Sequence, residues 1–157
     1  MVIRLAIAAD LDSLSQLWFD GWRDAHLAIV PAELAQHRTL PSFRARLTAA
    51  LGDVLVAELA GEPAGFVMLR GDELYQFYVS RHARGAGLAA ALMAEAEREL
   101  IRRGVGVTWL SCAIGNDRAA RFYEKCGWTR TGTITDQSVI EGGTFPIETW
   151  RYEKVLL

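Results

Sequence analysis

Cysteine is scarce in this chain, which has only Cys112 and Cys126 among its 157 residues. They form no CxxC pair and have no histidine at ligand spacing, which argues against a zinc site. Two isolated thiols with no secretory signal before them are typical of a reducing cytosol, although a single disulfide between them stays open. We therefore expect a cytoplasmic protein that holds no metal.

Long apolar runs and basic clusters are also absent. No stretch approaches the ~18 consecutive apolar residues of a membrane-spanning helix, and the apolar part of MVIRLAIAAD is too short for a signal peptide. The formal net charge is −2 and opposite charges are interleaved, so neither a nucleic acid nor a membrane is expected as a partner. With 51% apolar residues, the chain is predicted to be one globular domain over residues 1–157.

The spacing of apolar residues predicts a strand and two helices at the start of the chain. The segment 3–8 is a short β-branched run, typical of a strand. Asp10 or Asp12 is then placed to cap a first helix, and Ser42, just after Pro41, is placed to cap a second.

The rest of the chain is predicted to alternate between strands and helices. The order β-α-α-β-β-β-α-β-α-β-β indicates an α/β (α+β) fold with a mixed central sheet of about seven strands flanked by helices. The helix between the fourth and fifth strands makes the crossover that a parallel pair requires. The remaining elements are strands at 53–60, 64–71 and 72–80, a helix from Leu88 to Gly104, a strand at 107–114, a helix capped by Asn116 or Asp117, and strands at 128–140 and 144–156.

The strands at 53–60, 64–71 and 72–80 are predicted to form an antiparallel meander, because only short turns join them. The stretch VSRHARGAGLAAAL (79–92) joins the last of these strands to the next helix. Gly85 and Gly87 lie where that helix begins, and a helix N-terminus presents unpaired N–H groups and a positive dipole end that favour an anion. Arg84 is placed to add charge-assisted hydrogen bonds. The Walker and GxGxxG patterns are missing, which disfavours a kinase or a nucleotide-dependent oxidoreductase. From this segment alone, a phosphate site and a plain turn both stay open.

A second segment, NDRAARFYEKCGW (116–128), decides between these alternatives. It matches the pattern N-x-x-A-x-x-x-Y-x-x-x-G-[FW], and the earlier loop matches R-x-x-G-x-A, beginning five residues after Val79. In this order and spacing, the two segments resemble the GNAT superfamily of acyl-CoA-dependent N-acyltransferases, over essentially the whole chain. The chain departs from the commoner family pattern at Ala89, where glycine is usual, and at Trp128, where phenylalanine is usual. The residues that match are Arg84, Gly87 and Ala89 in the loop and Asn116, Ala119, Tyr123, Gly127 and Trp128 in the helix.

The resemblance implies a binding site for acetyl-CoA as co-substrate. In the family, the fourth and fifth strands splay apart at a bulge, and the pantetheine arm lies between them like an added strand. Its backbone partners would be Phe77, Tyr78 and Val79, with Asn116 and Tyr123 also near the cofactor. The pyrophosphate would lie on the amides of Arg84, Gly85, Ala86, Gly87, Leu88 and Ala89.

The resemblance also implies two catalytic side chains and one backbone donor. Tyr123 matches the tyrosine that protonates the departing thiolate, and Val79 supplies the N–H for the thioester oxygen. Glu73 stands where some relatives carry the glutamate that deprotonates the amine. The alternatives are a half-buried helix aromatic for Tyr123 and a solvated strand-end carboxylate for Glu73, beside Asp72.

The acceptor pocket is the least determined part of the site. Trp22 and His26 lie one turn apart on the first helix and are candidates to line it with Tyr75 or Gln137, although core packing also explains such a pair. The predicted activity is acetyl transfer to a primary amine of a small molecule by direct attack on the thioester. A protein or peptide N-acetyltransferase is the alternative, and a non-catalytic acyl-CoA-binding module is a third reading. The sequence also leaves open whether the chain forms a homodimer.

Overall fold

Seven strands and five helices succeed one another along the chain, and the computed structural model describes residues 1–157 throughout. Short 3-10 turns precede α1, β2 and α4. The elements are β1 (Val2–Leu5), α1 (Leu11–His26), α2 (Ala32–Ala35), α3 (Leu40–Ala49), β2 (Val54–Leu59), β3 (Glu62–Arg70), β4 (Glu73–Val79), α4 (Leu88–Arg102), β5 (Val107–Ala113), α5 (Asp117–Lys125), β6 (Thr129–Ile140) and β7 (Gly143–Val155).

The strands form one mixed sheet in the order β1-β2-β3-β4-β5-β7-β6. Neighbouring strands are antiparallel except β4 and β5, which are parallel and are joined by the crossover helix α4. The predicted fold class and order are therefore confirmed, with one addition: α2 is a four-residue helical turn after Pro31 that the periodicity did not indicate. None of the five helices combines the length and the hydrophobicity that a membrane span requires.

Both faces of the sheet are covered by helices, which explains the unbroken apolar runs of the central strands. In β2, Leu55 and Ala57 belong to one core cluster, whereas Val54 and Val56 belong to the other. Helices α4 and α5 complete the first cluster, and α1 and α3 complete the second. Because successive side chains of a strand point to opposite faces, a strand buried on both sides loses its polar alternation.

Asp10 occupies the N-cap position of α1, as one of the two alternatives predicted, but its side chain makes no capping hydrogen bond there. Ser42 is not the N-cap of α3. The carboxylate of Asp10 does not cap α1; it accepts hydrogen bonds from Arg4 at 2.8 Å and from the Ile7 N–H at 2.8 Å. The N-cap of α3 is Thr39, whose side chain accepts from the Ser42 N–H at 3.3 Å, while the Ser42 hydroxyl accepts from the Thr39 N–H at 3.1 Å. The pair forms a reciprocal capping box, so Ser42 is its second member rather than the cap.

The buried stripe of α4 provides a test of the packing. Leu92 is fully buried between α4 and the sheet, so we expect Leu92→Ala to lower the free energy of unfolding by about 2–5 kcal/mol through lost burial and a residual cavity. Ile101, at the exposed end of the same helix, is the matched control, and Ile101→Ala should change stability by about 0.5 kcal/mol. Denaturant titration measures both, and equal losses would contradict the assigned core.

Candidate active site

Strands β4 and β5 are held together at one end only. Their single paired position is Glu73 opposite Trp109. Asp72, just before β4, fastens this end: its carbonyl accepts from the Thr108 hydroxyl at 2.8 Å, and its carboxylate accepts from the Trp109 indole N–H at 3.1 Å. Beyond this clamp the two strands make no further pairs, so the sheet opens toward the C-terminal ends of β4 and β5.

A bulge in β4 accompanies the opening. Against β3, Leu74 pairs with Leu69 and Gln76 pairs with Met68, so Tyr75 is the extra, unpaired residue. A bulge bends its strand and increases the local twist. From Gln76 onward β4 follows β3, and the edge of its residues 77–79 that faces β5 has no strand partner.

The opening is part of a cavity of about 640 Å³ that reaches from the start of α4 to the β6–β7 hairpin. Ala86 and Gln137, two of the predicted site residues, do not line it. The predicted residues that do line it are Trp22, His26, Glu73, Tyr75, Phe77, Tyr78, Val79, Arg84, Gly85, Gly87, Leu88, Ala89, Asn116 and Tyr123.

The start of α4 presents free backbone donors to this cavity. Gly85 and Gly87 have left-handed backbones, with φ of 85° and 76°, and both have open space where a Cβ would lie. The first hydrogen bond of the helix runs from the Ala91 N–H to the Gly87 carbonyl. The amides of Gly85 and Gly87 and those of residues 88–90 therefore have no carbonyl partner.

Two amides of the predicted phosphate set are already used. The Arg84 N–H donates to the Arg81 carbonyl at 3.3 Å, and the Ala86 N–H donates to the Ala83 carbonyl at 3.4 Å. Ala90, which the loop motif did not include, adds a free amide instead and lines the cavity. The free amides therefore lie closer to the helix than the loop motif predicted. They are the unpaired N–H groups with which a helix N-terminus binds an anion.

The Arg84 side chain forms an ion pair with Asp24 of α1. Its Nη2 donates to Asp24 at 3.2 Å, and the same carboxylate lies 2.5 Å from Arg81 Nη2 and 3.7 Å from Arg118 Nη1. The guanidinium groups of Arg84, first, and of Arg81 hold the pKa of Asp24 below its usual value. The Asp24 carboxylate thus lies within 4 Å of three arginine side chains, one of which, Arg84, belongs to the loop before α4.

Tyr123 lies on α5 in an aromatic setting. Its ring packs 6.3 Å from the ring of Trp128 and 6.0 Å from that of Tyr152, measured between centroids. Burial raises the pKa of the phenol well above its usual value of 10, so the hydroxyl is protonated at neutral pH. Phe122 reaches across the opening to Phe77, with centroids 5.4 Å apart, and joins α5 to β4. Asn116 provides the N-cap of α5, with its side chain accepting from the Ala119 N–H at 3.4 Å.

Glu73 is buried, contrary to the solvated-carboxylate alternative. It is 3% exposed and accepts from Arg70 Nη2 at 2.9 Å and from Arg70 Nε at 3.1 Å. Burial raises the pKa of the Glu73 carboxyl, and the attraction of Arg70 opposes that rise only in part. A carboxyl with a raised pKa at the edge of a cavity is a candidate proton acceptor.

The predicted acceptor residues Trp22, His26 and Tyr75 also line the cavity. The Trp22 and His26 rings are 5.5 Å apart, and Trp22 also packs on Phe43 at 6.5 Å, so the pair contributes to both pocket and core. Burial lowers the pKa of His26 to about 4, so its imidazole is neutral at neutral pH. The Tyr75 hydroxyl accepts from Arg46 Nη2 at 2.9 Å.

Several polar side chains that line the cavity were not expected from the sequence, among them Arg38, Arg46 and Asp136. Arg38 and Arg46 come from the segment before α3 and from α3 itself, and Asp136 comes from β6. Gln137 is exposed and accepts from the Thr144 hydroxyl, so its neighbour Asp136 occupies the inward position in its place. The bulge of β6 between Arg130 and Gly132 shifts the alternation of the strand.

Comparison with known proteins assigns the family. The model of the acetyltransferase (GNAT) family matches residues 11–128. An uncharacterized N-acetyltransferase of Mycobacterium bovis is 34% identical over 117 residues, which cover 69% of this chain and 75% of the relative.

Solved structures agree in fold. A ribosomal-protein-alanine N-acetyltransferase from Brucella melitensis superposes with a TM-score of 0.75 at 24% identity and covers 99% of both chains. An N-acetyltransferase from Thermoplasma acidophilum, solved in complex with coenzyme A, gives a TM-score of 0.68 at 19% identity and covers 98% of both chains. The chain therefore belongs to the acetyltransferase (GNAT) family of acyl-CoA-dependent N-acetyltransferases.

Proposed function

We propose that this protein transfers an acetyl group from acetyl-CoA to the primary amine of a small molecule, by direct attack of the amine on the thioester. The observation that carries the proposal is the opening between β4 and β5. It has free amides of α4 at one end, the buried phenol of Tyr123 beside it and a polar pocket at the other end.

The residues of the opening fit coenzyme A. The unpaired edge of Phe77, Tyr78 and Val79 has the N–H and C=O groups that an extended pantetheine amide chain would pair with. The free amides at Gly85, Gly87 and the first turn of α4 suit a pyrophosphate, because no side chain stands between them and a ligand. The Thermoplasma relative, which shares the fold, holds coenzyme A.

The chemistry divides among three groups of this chain. When bound, acetyl-CoA supplies an activated acyl carbon, so no covalent enzyme intermediate is needed. In the proposed step the amine nitrogen bonds to that carbon as the C–S bond breaks. The Val79 N–H donates to the thioester oxygen, Tyr123 gives its proton to the departing sulfur, and Glu73 takes the proton released by the amine.

The role of Glu73 predicts a change in the pH profile. We expect Glu73→Gln to lower kcat/KM about 100-fold at neutral pH, because a general base contributes at least that factor. In the parent enzyme, kcat/KM should fall as pH drops through the Glu73 pKa, which burial raises above the ordinary glutamate value. The variant should lose this acidic limb.

The control for Glu73→Gln is Glu62→Gln. Glu62 is the exposed first residue of β3 and lies outside the cavity, so its replacement should leave both rate and profile unchanged. An unaltered acidic limb in Glu73→Gln would remove Glu73 as the base.

The closure of the pocket supports a small acceptor over a peptide. Arg38 Nη1 donates to the Val139 carbonyl at 2.5 Å and ties the segment before α3 to β6. Ile140, Phe145 and Ile147 of the β6–β7 hairpin pack against the cluster built by α1 and α3. The hairpin thus covers the acceptor end, where a peptide would need an open groove.

An amine screen that reads free CoA tests the proposal. The panel contains small primary amines, lysine-containing peptides, peptides with a free N-terminus and a reaction without acceptor. We expect release of CoA with at least one small amine and formation of its N-acetyl product, identified by mass spectrometry. Release only with peptides would establish the alternative acceptor class, and binding of acetyl-CoA without turnover on any amine would contradict the proposal. Titration with longer acyl-CoAs tests the preference for acetyl.

A further inference from the structure

Two arginines at the acceptor end of the cavity have no carboxylate partner. Among the arginines that are buried or half-buried, Arg4 and Arg151 each lie within 3.0 Å of a carboxylate oxygen. Arg38 and Arg46 also line the cavity, but no acidic side chain lies within ion-pair distance of either. Charged groups away from solvent are normally paired, so this pair requires an explanation.

Arg38 is the more deeply placed of the two. It is 5% exposed, its Nη1 donates to the Val139 carbonyl, and its Nε is buried with no hydrogen-bond partner. The bond to Val139 fixes the position of the guanidinium and uses one of its five donors. A structural role for Arg38 therefore explains the hydrogen bond of Nη1, but it does not explain why Nε is buried without a partner.

Arg46 reaches the same region from α3. Its guanidinium lies over the Trp18 ring, 4.4 Å from the centroid, and donates to the Tyr75 hydroxyl. Burial, and then the like charge of Arg46, lower the pKa of Arg38 to about 10. The attraction of the Asp136 carboxylate opposes this lowering only in part, and a bound anion would oppose it further.

Acidic side chains also line this pocket. Asp136 is half-buried, and burial raises the pKa of its carboxyl. The charge of Arg70, and more weakly those of Arg38 and Arg46, oppose that rise without bringing Asp136 within ion-pair distance of Arg38 or Arg46. Glu73 also lines the cavity and forms an ion pair with Arg70. Tyr75 contacts two of these arginines, with Arg70 3.6 Å from its ring centroid and Arg46 on its hydroxyl. The pocket thus presents both cationic and acidic side chains to a ligand.

We propose that the acceptor is an amine that also carries a carboxylate, with the carboxylate held by Arg38 and Arg46 and the amine directed toward Glu73 and Asp136. The inference rests on the proposed function and names its substrate class. Arginine suits this task because its planar donors match the two oxygens of a carboxylate. A neutral amine would leave the two guanidinium groups unpaired.

Matched acceptor pairs provide the first test. Glycine, β-alanine, γ-aminobutyrate and several α-amino acids are each compared with the corresponding amide and with the amine that lacks the carboxylate. We expect kcat/KM for the best acid to exceed that of both neutral partners by about 10- to 100-fold, the range of a charge-assisted hydrogen bond. Equal values for acid and neutral partners would overturn the proposal, and so would a preference for peptides.

Charge-removing variants provide the second test. Arg46→Met and Arg38→Met should raise KM for the acid about tenfold or more, leave KM for acetyl-CoA unchanged and abolish the preference over the neutral amine. Arg44→Met is the control, because Arg44 lies on α3 with Arg46 but is exposed and paired with Asp12 outside the cavity. If Arg38→Met fails to fold, Arg46→Met still decides. An unchanged preference in the folded variants would contradict the assignment.

Calorimetric titration with the same amino acids separates this inference from the proposed function. Binding of the acid that is lost in Arg46→Met but kept in Arg44→Met supports the acid site even if no amine is acetylated. Acetylation of neutral amines without such binding supports the acetyltransferase and refutes the acid site.

Discussion

Replacing Ala89 with glutamate is expected to raise the dissociation constant for coenzyme A by about 100-fold. Ala89 is in the first turn of α4 and borders the cavity beside the free amides. A carboxylate there would compete for those amides and repel the pyrophosphate. At about 4 Å two charges near a protein surface interact by roughly 4 kcal/mol, and about 2.7 kcal/mol suffices for the predicted loss.

The same substitution should leave the fold intact or stabilise it slightly. An acidic side chain in the first turn interacts favourably with the helix dipole, by about 0.3–1 kcal/mol. Ala94→Glu is the matched control, since Ala94 is exposed on the same helix and lies outside the cavity. Calorimetry with coenzyme A and thermal unfolding check the pair. Undiminished binding by Ala89→Glu would place the pyrophosphate elsewhere.

Replacing Tyr123 with phenylalanine is expected to lower kcat by about 100-fold or more while changing the affinity for acetyl-CoA by less than about threefold. Loss of a general acid removes a factor in this range, whereas the ring and its packing on Trp128 and Tyr152 remain. Because burial raises the Tyr123 pKa well above 10, its deprotonation cannot limit the parent enzyme near neutral pH.

Tyr152→Phe is the control for Tyr123→Phe. Tyr152 is a buried neighbour whose hydroxyl bonds to Glu124 at 2.6 Å outside the cavity, so its loss should cost about 1 kcal/mol of stability and leave kcat unchanged. Steady-state kinetics and acetyl-CoA titration give both readouts. Equal kcat in Tyr123→Phe and the parent would remove the acid role.

The architecture was accessible from the sequence because its signals are local. The α4 stripe of Leu88, Leu92, Ala96 and Leu100 is fully buried as its spacing predicts. The meander was visible because its three strands are consecutive and joined by short turns. The opening between β4 and β5 followed only from the resemblance, since no residue pattern reports an absent strand pairing.

The polar parts of the site were less predictable because they depend on contacts between distant segments. Asp24 and Arg84 are 60 positions apart, and the burial of Glu73 depends on packing that its neighbours in sequence do not reveal. Arg38 precedes α3 in a segment without periodicity. The exchange of Gln137 for Asp136 reflects the β6 bulge, which inverts the face of every residue beyond it.

A crystal structure with acetyl-CoA bound tests the proposed binding mode most directly. We expect the pantetheine arm to run along residues 77–79 between β4 and β5. We expect the pyrophosphate on the free amides of Gly85, Gly87 and residues 88–90, and the thioester sulfur next to the Tyr123 hydroxyl. Acetyl-CoA bound outside this opening, or with its sulfur remote from Tyr123, would contradict this binding mode.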